Sequence, residues 1–201
     1  MECTAIILAG GKSSRMGRNK ALLPIFNQTV IEHIASRCQL VADEVILVTN
    51  DPETYSFLGL PMVADRYGKS GPMAGLEAGL TASSHDVGLL VACDMPFLDE
   101  QVMRALTAGI VGHDAAVPVI EGRKHPLFAA YRKTCLKTIR EKLLARDVKM
   151  MHLLDDVQVK ELFEEDLALS DESKMAFFNM NSPDEYKKAQ EVERKWYRDD
   201  R

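Results

Sequence analysis

The sequence predicts an α/β fold of the Rossmann-like, doubly wound kind, with a mostly parallel sheet covered by helices on both faces. Two observations predict it. Short apolar runs alternate with helical segments along the chain, and the runs are apolar throughout rather than at every second residue. A strand that is apolar on both sides has to be buried on both sides, as in a parallel sheet lying between helix layers.

The first run, Thr4 to Ala9, ends at Gly10-Gly11 and reads as a central strand. A polar, glycine-rich loop, KSSRMGRNK, follows it. Val30, Ile31, Ile34, Ala35, Cys38 and Val41 then recur at helical spacing, with Thr29 placed as N-cap and Glu32 three residues on. EVILVTN, ending at Asn50, is a second buried strand. Asp51-Pro52 opens a short helix, and Leu60 to Ala64 gives a third strand. GPMAGLEAGLTAS is a helix whose small residues suit close packing on a sheet. Asp86 to Ala92 is a fourth buried strand and runs straight into Cys93-Asp94-Met95-Pro96. A helix around Asp99 to Ile110 and a strand around Ala115 to Ile120 come next. Beyond Ile120 the pattern weakens. LFAAYR suits another strand, Lys133 to Arg146 a helix, and Pro183 to Trp196 a helix capped by Ser182. Arg194 to Arg201 reads as a frayed end, and residues 191–201 are expected to be flexible.

The 201 residues suit one domain, and no Pro/Gly-rich linker divides them. With 46% hydrophobic and 27% charged residues the chain is not of the disordered class. Twenty-five Lys and Arg against 30 Asp and Glu leave a net charge of -5, which argues against nucleic acid as a partner. No apolar run approaches the ~20 residues of a membrane span. MECTAIILAG has no basic stretch ahead of its apolar one, so it is not a secretory signal. Cys3, Cys38, Cys93 and Cys135 are scattered, which predicts free thiols in a reducing cytoplasm.

In open α/β sheets, ligands bind outside the carboxyl ends of the strands. The chain delivers its unusual residues there: LAGGKSSRMGRNK after the first strand, Asn50 after the second, Asp65 after the third and Asp94 after the fourth. Gly10, Gly11 and Gly17 let backbone N–H groups approach a phosphate chain, Ser13 and Ser14 add hydroxyls, and Arg15 and Lys20 add positive charge. The loop is neither GxxxxGK[ST] nor GxGxxG. Its plainer alternative is a glycine turn with two solvated cations. Asp94 is placed to hold Mg²⁺, or more simply to shape an Asx turn before Pro96. Asp65 has the same two readings, and Asn50 by spacing alone suits a helix-flanking cap. His33, His85, His113, His125 and His152 lack metal spacing, which argues against zinc. GxSxG is missing, no Cys–His pairing suggests a nucleophile, and ELFEEDLALSDES reads as a solvated face.

LAGGKSSRMGRNKALLP resembles the signature loop of the MobA-like nucleotidyltransferases, most closely their molybdenum cofactor guanylyltransferase branch. The likeness continues in the family's order through SGPMAGLEAGL, VACDMPFL, RKHPLFAAY and FFNMNSPDEY, from Ile6 to about Lys188. The resemblance implies a fold of the nucleotide-diphospho-sugar transferase type. It also implies transfer of GMP from GTP to molybdopterin, with diphosphate released and the guanine dinucleotide cofactor formed. Leu8, Ala9 and Gly10 are then expected at GTP, Lys20 at its phosphates, and Asn50 and Asp65 at the nucleotide. Asp94 matches the Mg²⁺ ligand, and Arg15, Lys20 and Asp94 form the expected catalytic set. Gly11, Arg15, Gly71, Asn179 and Asn181 match motif positions important for activity. Gly71 is expected to leave room for the base, which the Leu8–Gly11 backbone would help to read.

The resemblance further divides the chain into a nucleotide half, about 1–98, and a pterin half, about 99–190. His125, Asn179 and Asn181 are expected on the pterin side, the two asparagines on one face if FFNMN is a strand. Arg123 and Lys124 suit an anionic phosphate nearby. The family's usual partners are a MobB-type adaptor and molybdenum insertion proteins. One departure is Asn19, where the family usually carries Asp. A branch using CTP is the nearest alternative, but it tends to show LAAG where this chain has LAGG. A non-catalytic nucleotide-binding module is the other, and intact Arg15, Lys20 and Asp94 argue against it.

Overall fold

The computed structural model describes residues 1–10, 19–68, 70–170 and 172–199. Strand β1 (Cys3–Leu8) is followed by a 3₁₀ turn at Lys20–Leu22 and a small antiparallel hairpin of β2 (Pro24–Ile25) and β3 (Gln28–Thr29). Helix α1 (Val30–Gln39) starts at a full capping box: Thr29 Oγ1 accepts from the Glu32 N–H, and Glu32 accepts from the Thr29 N–H at 2.7 Å. Next come β4 (Glu44–Val48), α2 (Pro52–Tyr55, capped by Asp51), β5 (Met62–Val63), α3 (Gly71–Ala82) and β6 (Val87–Ala92). The second half holds α4 (Glu100–Gly109, capped by Asp99), β7 (Ala115–Ile120), β8 (Arg123–Lys124) and β9 (Phe128–Arg132). It ends with α5 (Leu136–Leu144), α6 (Met150–Asp155), β10 (Val159–Phe163), a 3₁₀ turn at Ser173–Phe177 and α7 (Pro183–Asp199).

The main sheet has the order β10-β7-β9-β6-β1-β4-β5. β1 pairs in parallel with β4 and β6, and β4 with β5, so the expected parallel sheet forms in the first half of the chain. β9 runs antiparallel to both β6 and β7, while β10 is parallel to β7. Three sequence expectations are corrected here. ELFEEDLALSDES is not simply a solvated face, because Leu162 on β10 and Leu167 beyond it are buried. FFNMN is not a strand but continues irregularly from the 3₁₀ turn. The segment from Arg194 is helical rather than irregular, since α7 continues to Asp199 and Trp196 packs against Phe97 with ring centroids 5.1 Å apart. No helix among the described residues is long and apolar enough to cross a membrane.

Alternation along β1 sends Ala5 and Ile7 to one face and Ile6 to the other. The first face is covered by α1, α4 and the segment from Ala176 to Ala189, and the second by α3, α5 and α6. Helix α3 lies tight on the sheet because it turns glycines toward it. A Cβ on Gly75 would sit 2.7 Å from Leu8 Cδ2, and one on Gly79 would collide with Ile6 Cγ2. Replacing Gly79 with Val is therefore expected to cost about 1–3 kcal/mol through overpacking. A denaturant midpoint that falls at constant slope would show it; an unchanged midpoint would mean that the helix can move away.

Candidate active site

The carboxyl ends of β5, β4, β1 and β6 lie side by side, and the connections reverse direction between β1 and its two neighbours. This is a topological switch point, where an open α/β sheet leaves a crevice above the strand ends. Ala9 donates its N–H to Val48 O and Leu8 O accepts from the Cys93 N–H, so the residues leaving β1 stay tied to both adjoining strands. Asn50 and Asp65 meet above β4 and β5, with Asn50 Nδ2 donating to Asp65 Oδ2 at 2.7 Å. That pairing makes Asn50 more than a helix-flanking cap.

Lys20 and Asp94 come together across the crevice. The ammonium lies 2.5 Å from Asp94 Oδ2, and the two side chains are only 21% and 15% exposed. Lys20 reaches this place because Asn19 caps its 3₁₀ turn, with Oδ1 accepting from the Ala21 N–H and Nδ2 donating to Tyr55 Oη at 2.9 Å. The amide at position 19 thus donates as well as accepts, which an aspartate could not do. Asp94 Oδ1, in contrast, is buried with no hydrogen-bond partner among the described residues, as is Asp65 Oδ1. A buried carboxylate oxygen left open at a sheet edge suits a divalent cation whose remaining ligands are phosphate oxygens and water. The described residues hold no ready-made cluster of three metal-ligating side chains, so such an ion would depend on the substrate for most of its shell.

Asn181 joins this group. Its Oδ1 accepts from Lys20 Nζ at 3.0 Å, a contact the sequence did not show. Met180 N donates to Asp94 O at 2.8 Å, which anchors the segment directly on the strand-end loop. Glu185 accepts from the Asn181 N–H at 2.7 Å and from Ser182 Oγ at 3.0 Å, and Ser182 in turn caps α7. These contacts hold the Glu185 carboxyl below its usual range, chiefly the bond from Asn181. The capping signature Ser182-Pro183-Asp184-Glu185 was visible in the sequence, but its link to Asn181 was not.

Asn179 and His125 meet a different neighbour. Asn179 Nδ2 donates to Phe177 O at 3.3 Å, and the His125 ring packs on Phe177 at 4.9 Å. Burial, helped by the charge of Arg123, holds the His125 pKa below its ordinary value. Lys124 pairs with Glu161 at 2.7 Å. Gly71 begins α3 at φ +68°, a left-handed backbone that glycine adopts without strain, with nothing among the described residues within 4 Å of where a Cβ would lie. Cys93, beside Asp94, is a core thiol pushed up to about 12 by burial and the adjoining carboxylate, and so is no nucleophile. Gly11, Ser13, Ser14, Arg15 and Gly17 lie outside the described residues.

Residues 5–162 match the MobA-like NTP transferase domain. The chain belongs to the MobA-like NTP transferase family. Among its relatives in that family, the "Probable molybdenum cofactor guanylyltransferase" of Carboxydothermus hydrogenoformans is 37% identical over 185 residues, covering 92% of this chain and 93% of that one. The "Molybdenum cofactor guanylyltransferase" of Desulfosudis oleivorans is 31% identical over 189 residues, covering 93% and 94%. The crystal structure of molybdopterin-guanine dinucleotide biosynthesis protein A from Archaeoglobus fulgidus superposes with a TM-score of 0.81 at 25% identity, covering 94% of this chain and 97% of that one. The MobA-like match ends at residue 162, ahead of Asn179, Asn181 and α7.

Proposed function

We propose that the chain is a molybdenum cofactor guanylyltransferase, joining GMP from GTP to the terminal phosphate of molybdopterin and releasing diphosphate. The observation that carries this reading is the Lys20–Asp94 contact at the switch point, with Asp94 Oδ1 left open beside it. The names of the relatives support the choice of substrates.

A phosphate monoester is already ionised at neutral pH, so the incoming nucleophile needs no protein base; positioning and charge neutralisation are what the site has to provide. Lys20 suits the triphosphate, and Arg15 is assigned to the same task. Asp94 would hold Mg²⁺ through Oδ1, and Asp65, whose Oδ1 is likewise open among the described residues, is assigned to the nucleotide. When bound, Mg²⁺ supplies positive charge to the phosphates and a template for in-line displacement. We assign Leu8, Ala9, Gly10 and Gly11, with Asn50 and Gly71, to the nucleoside side. Asn179 and the His125 ring on Phe177 are assigned to the pterin, whose flat heterocycle such a ring can stack against. Asn181 bridges the two halves. The buried free cysteines suit a reducing cytoplasm, where a MobB-type adaptor and molybdenum insertion proteins are the expected partners.

The test is dinucleotide formation from GTP, Mg²⁺ and molybdopterin, followed by competition with CTP. Groups that satisfy guanine are left unpaired by cytosine, at about 1–3 kcal/mol each, so GTP should win by roughly tenfold or more. Preference for CTP would reassign the base and keep the family. Binding without turnover would instead favour a non-catalytic module.

A further inference from the structure

Helix α7 lies beyond the residues that match the family domain, yet it grips the arm that carries Lys20. Tyr186 Oη donates to Pro24 O at 2.8 Å, and the Phe26 N–H donates to Glu193 Oε1 at 2.6 Å. Tyr186, Ala189, Glu193 and Trp196 are spaced i, i+3, i+7 and i+10, which puts them on one face of the helix. Ahead of the helix, Asn181 reaches Lys20 itself.

The hairpin held in this way has an unfavourable turn. Phe26 and Asn27 connect β2 to β3 with φ values of +48° and +60°. Such a two-residue turn is normally built from Asn-Gly, and a bulky residue in the left-handed region persists only where its surroundings fix it. Here the Phe26 ring sits 4.5 Å from His33, 6.1 Å from Phe97 and 6.1 Å from Trp196, while Glu193 takes its N–H. Two of those fixing groups, Glu193 and Trp196, come from α7.

We propose that α7 is a clamp on the Lys20 arm, with Glu193 and Tyr186 as positioning residues that fix where Lys20 meets the nucleotide triphosphate. The proposal rests on the reading that Lys20 binds the triphosphate. The alternative is that α7 only covers apolar surface, as its buried Ala189 would allow.

A double-mutant cycle separates the two. Glu193→Ala is expected to raise KM and Kd for GTP by about tenfold with kcat within about twofold, because positioning is lost while the reacting groups remain. Glu193→Gln keeps an acceptor for the Phe26 N–H and should recover most of the affinity. Tyr186→Phe, which removes one hydroxyl, should shift GTP affinity in the same direction and serves if Glu193→Ala fails to fold. In a Lys20→Met background, Glu193→Ala should have little further effect on GTP affinity, since the group it positions is gone. Additive effects in the two backgrounds, or a lowered melting temperature with GTP affinity unchanged, would overturn the clamp. A wild-type protein that binds GTP but makes no dinucleotide would overturn the guanylyltransferase reading, and the GTP affinities of the variants would still decide the clamp.

Discussion

Asp94→Asn is expected to slow GMP transfer by about a thousandfold or more while the protein stays folded, because it removes the charge proposed to hold Mg²⁺ at the reacting phosphates. The side chain sits at the end of β6, only 15% exposed, with one oxygen on Lys20 and the other buried and open among the described residues. An amide of the same shape would retain a weak oxygen donor but no charge for a hard cation. The structural tie at this position runs from Met180 N to the Asp94 backbone carbonyl, which the substitution leaves in place. Turnover at saturating Mg²⁺, GTP and molybdopterin, set beside the melting temperature, measures the effect. Retention of activity within about tenfold of wild type, a barrier change of only ~1.4 kcal/mol, would move the metal away from Asp94.

Lys20→Met should lower kcat/KM for GTP by about ten- to a hundredfold, the value of one charge-assisted phosphate contact at about 1.5–3 kcal/mol. The same change strips Asp94 of its cation and Asn181 of the ammonium it accepts from. Asn181→Ala should consequently weaken GTP binding several-fold rather than leave it untouched, as a pterin-side asparagine would. Calorimetric titration of GTP into both variants reads this directly. Unchanged affinity in Lys20→Met would return the loop to a glycine turn with solvated cations, and unchanged affinity in Asn181→Ala would restore that residue to the pterin.

The first half of the fold was legible in the sequence because its signals are local. The apolar run ending at Gly10, the Thr29–Glu32 box, Asp51 ahead of Pro52 and Asp99 ahead of α4 each mark an element by its own residues. The rest depends on partners far along the chain. LFAAYR shows a strand but not its direction, which follows from the antiparallel slot between β6 and β7. In VKELF the charges mask one inward residue, Leu162. Asn50 and Asp65 were both singled out, but only folding showed that they bond each other. The bond between Asn181 and Lys20 was not legible, because the two lie 161 residues apart and no pattern within FFNMN points to it.

The reversed strand β9 also has a consequence for how the protein is made. On the ribosome, β1, β4, β5 and β6 emerge first and can pair as soon as Ala92 is clear of the exit tunnel. The far edge of β6, VGLLVA, has no partner until Phe128 to Arg132 follow. At about 5–20 residues per second the nascent chain carries that apolar edge open for roughly 2–7 s. An open apolar edge invites pairing with a neighbouring chain, and neither a charge nor a proline within Val87–Ala92 guards against it. Codon choice or chaperone supply over the stretch between β6 and β9 should thus govern the yield of folded protein more than changes elsewhere in the gene.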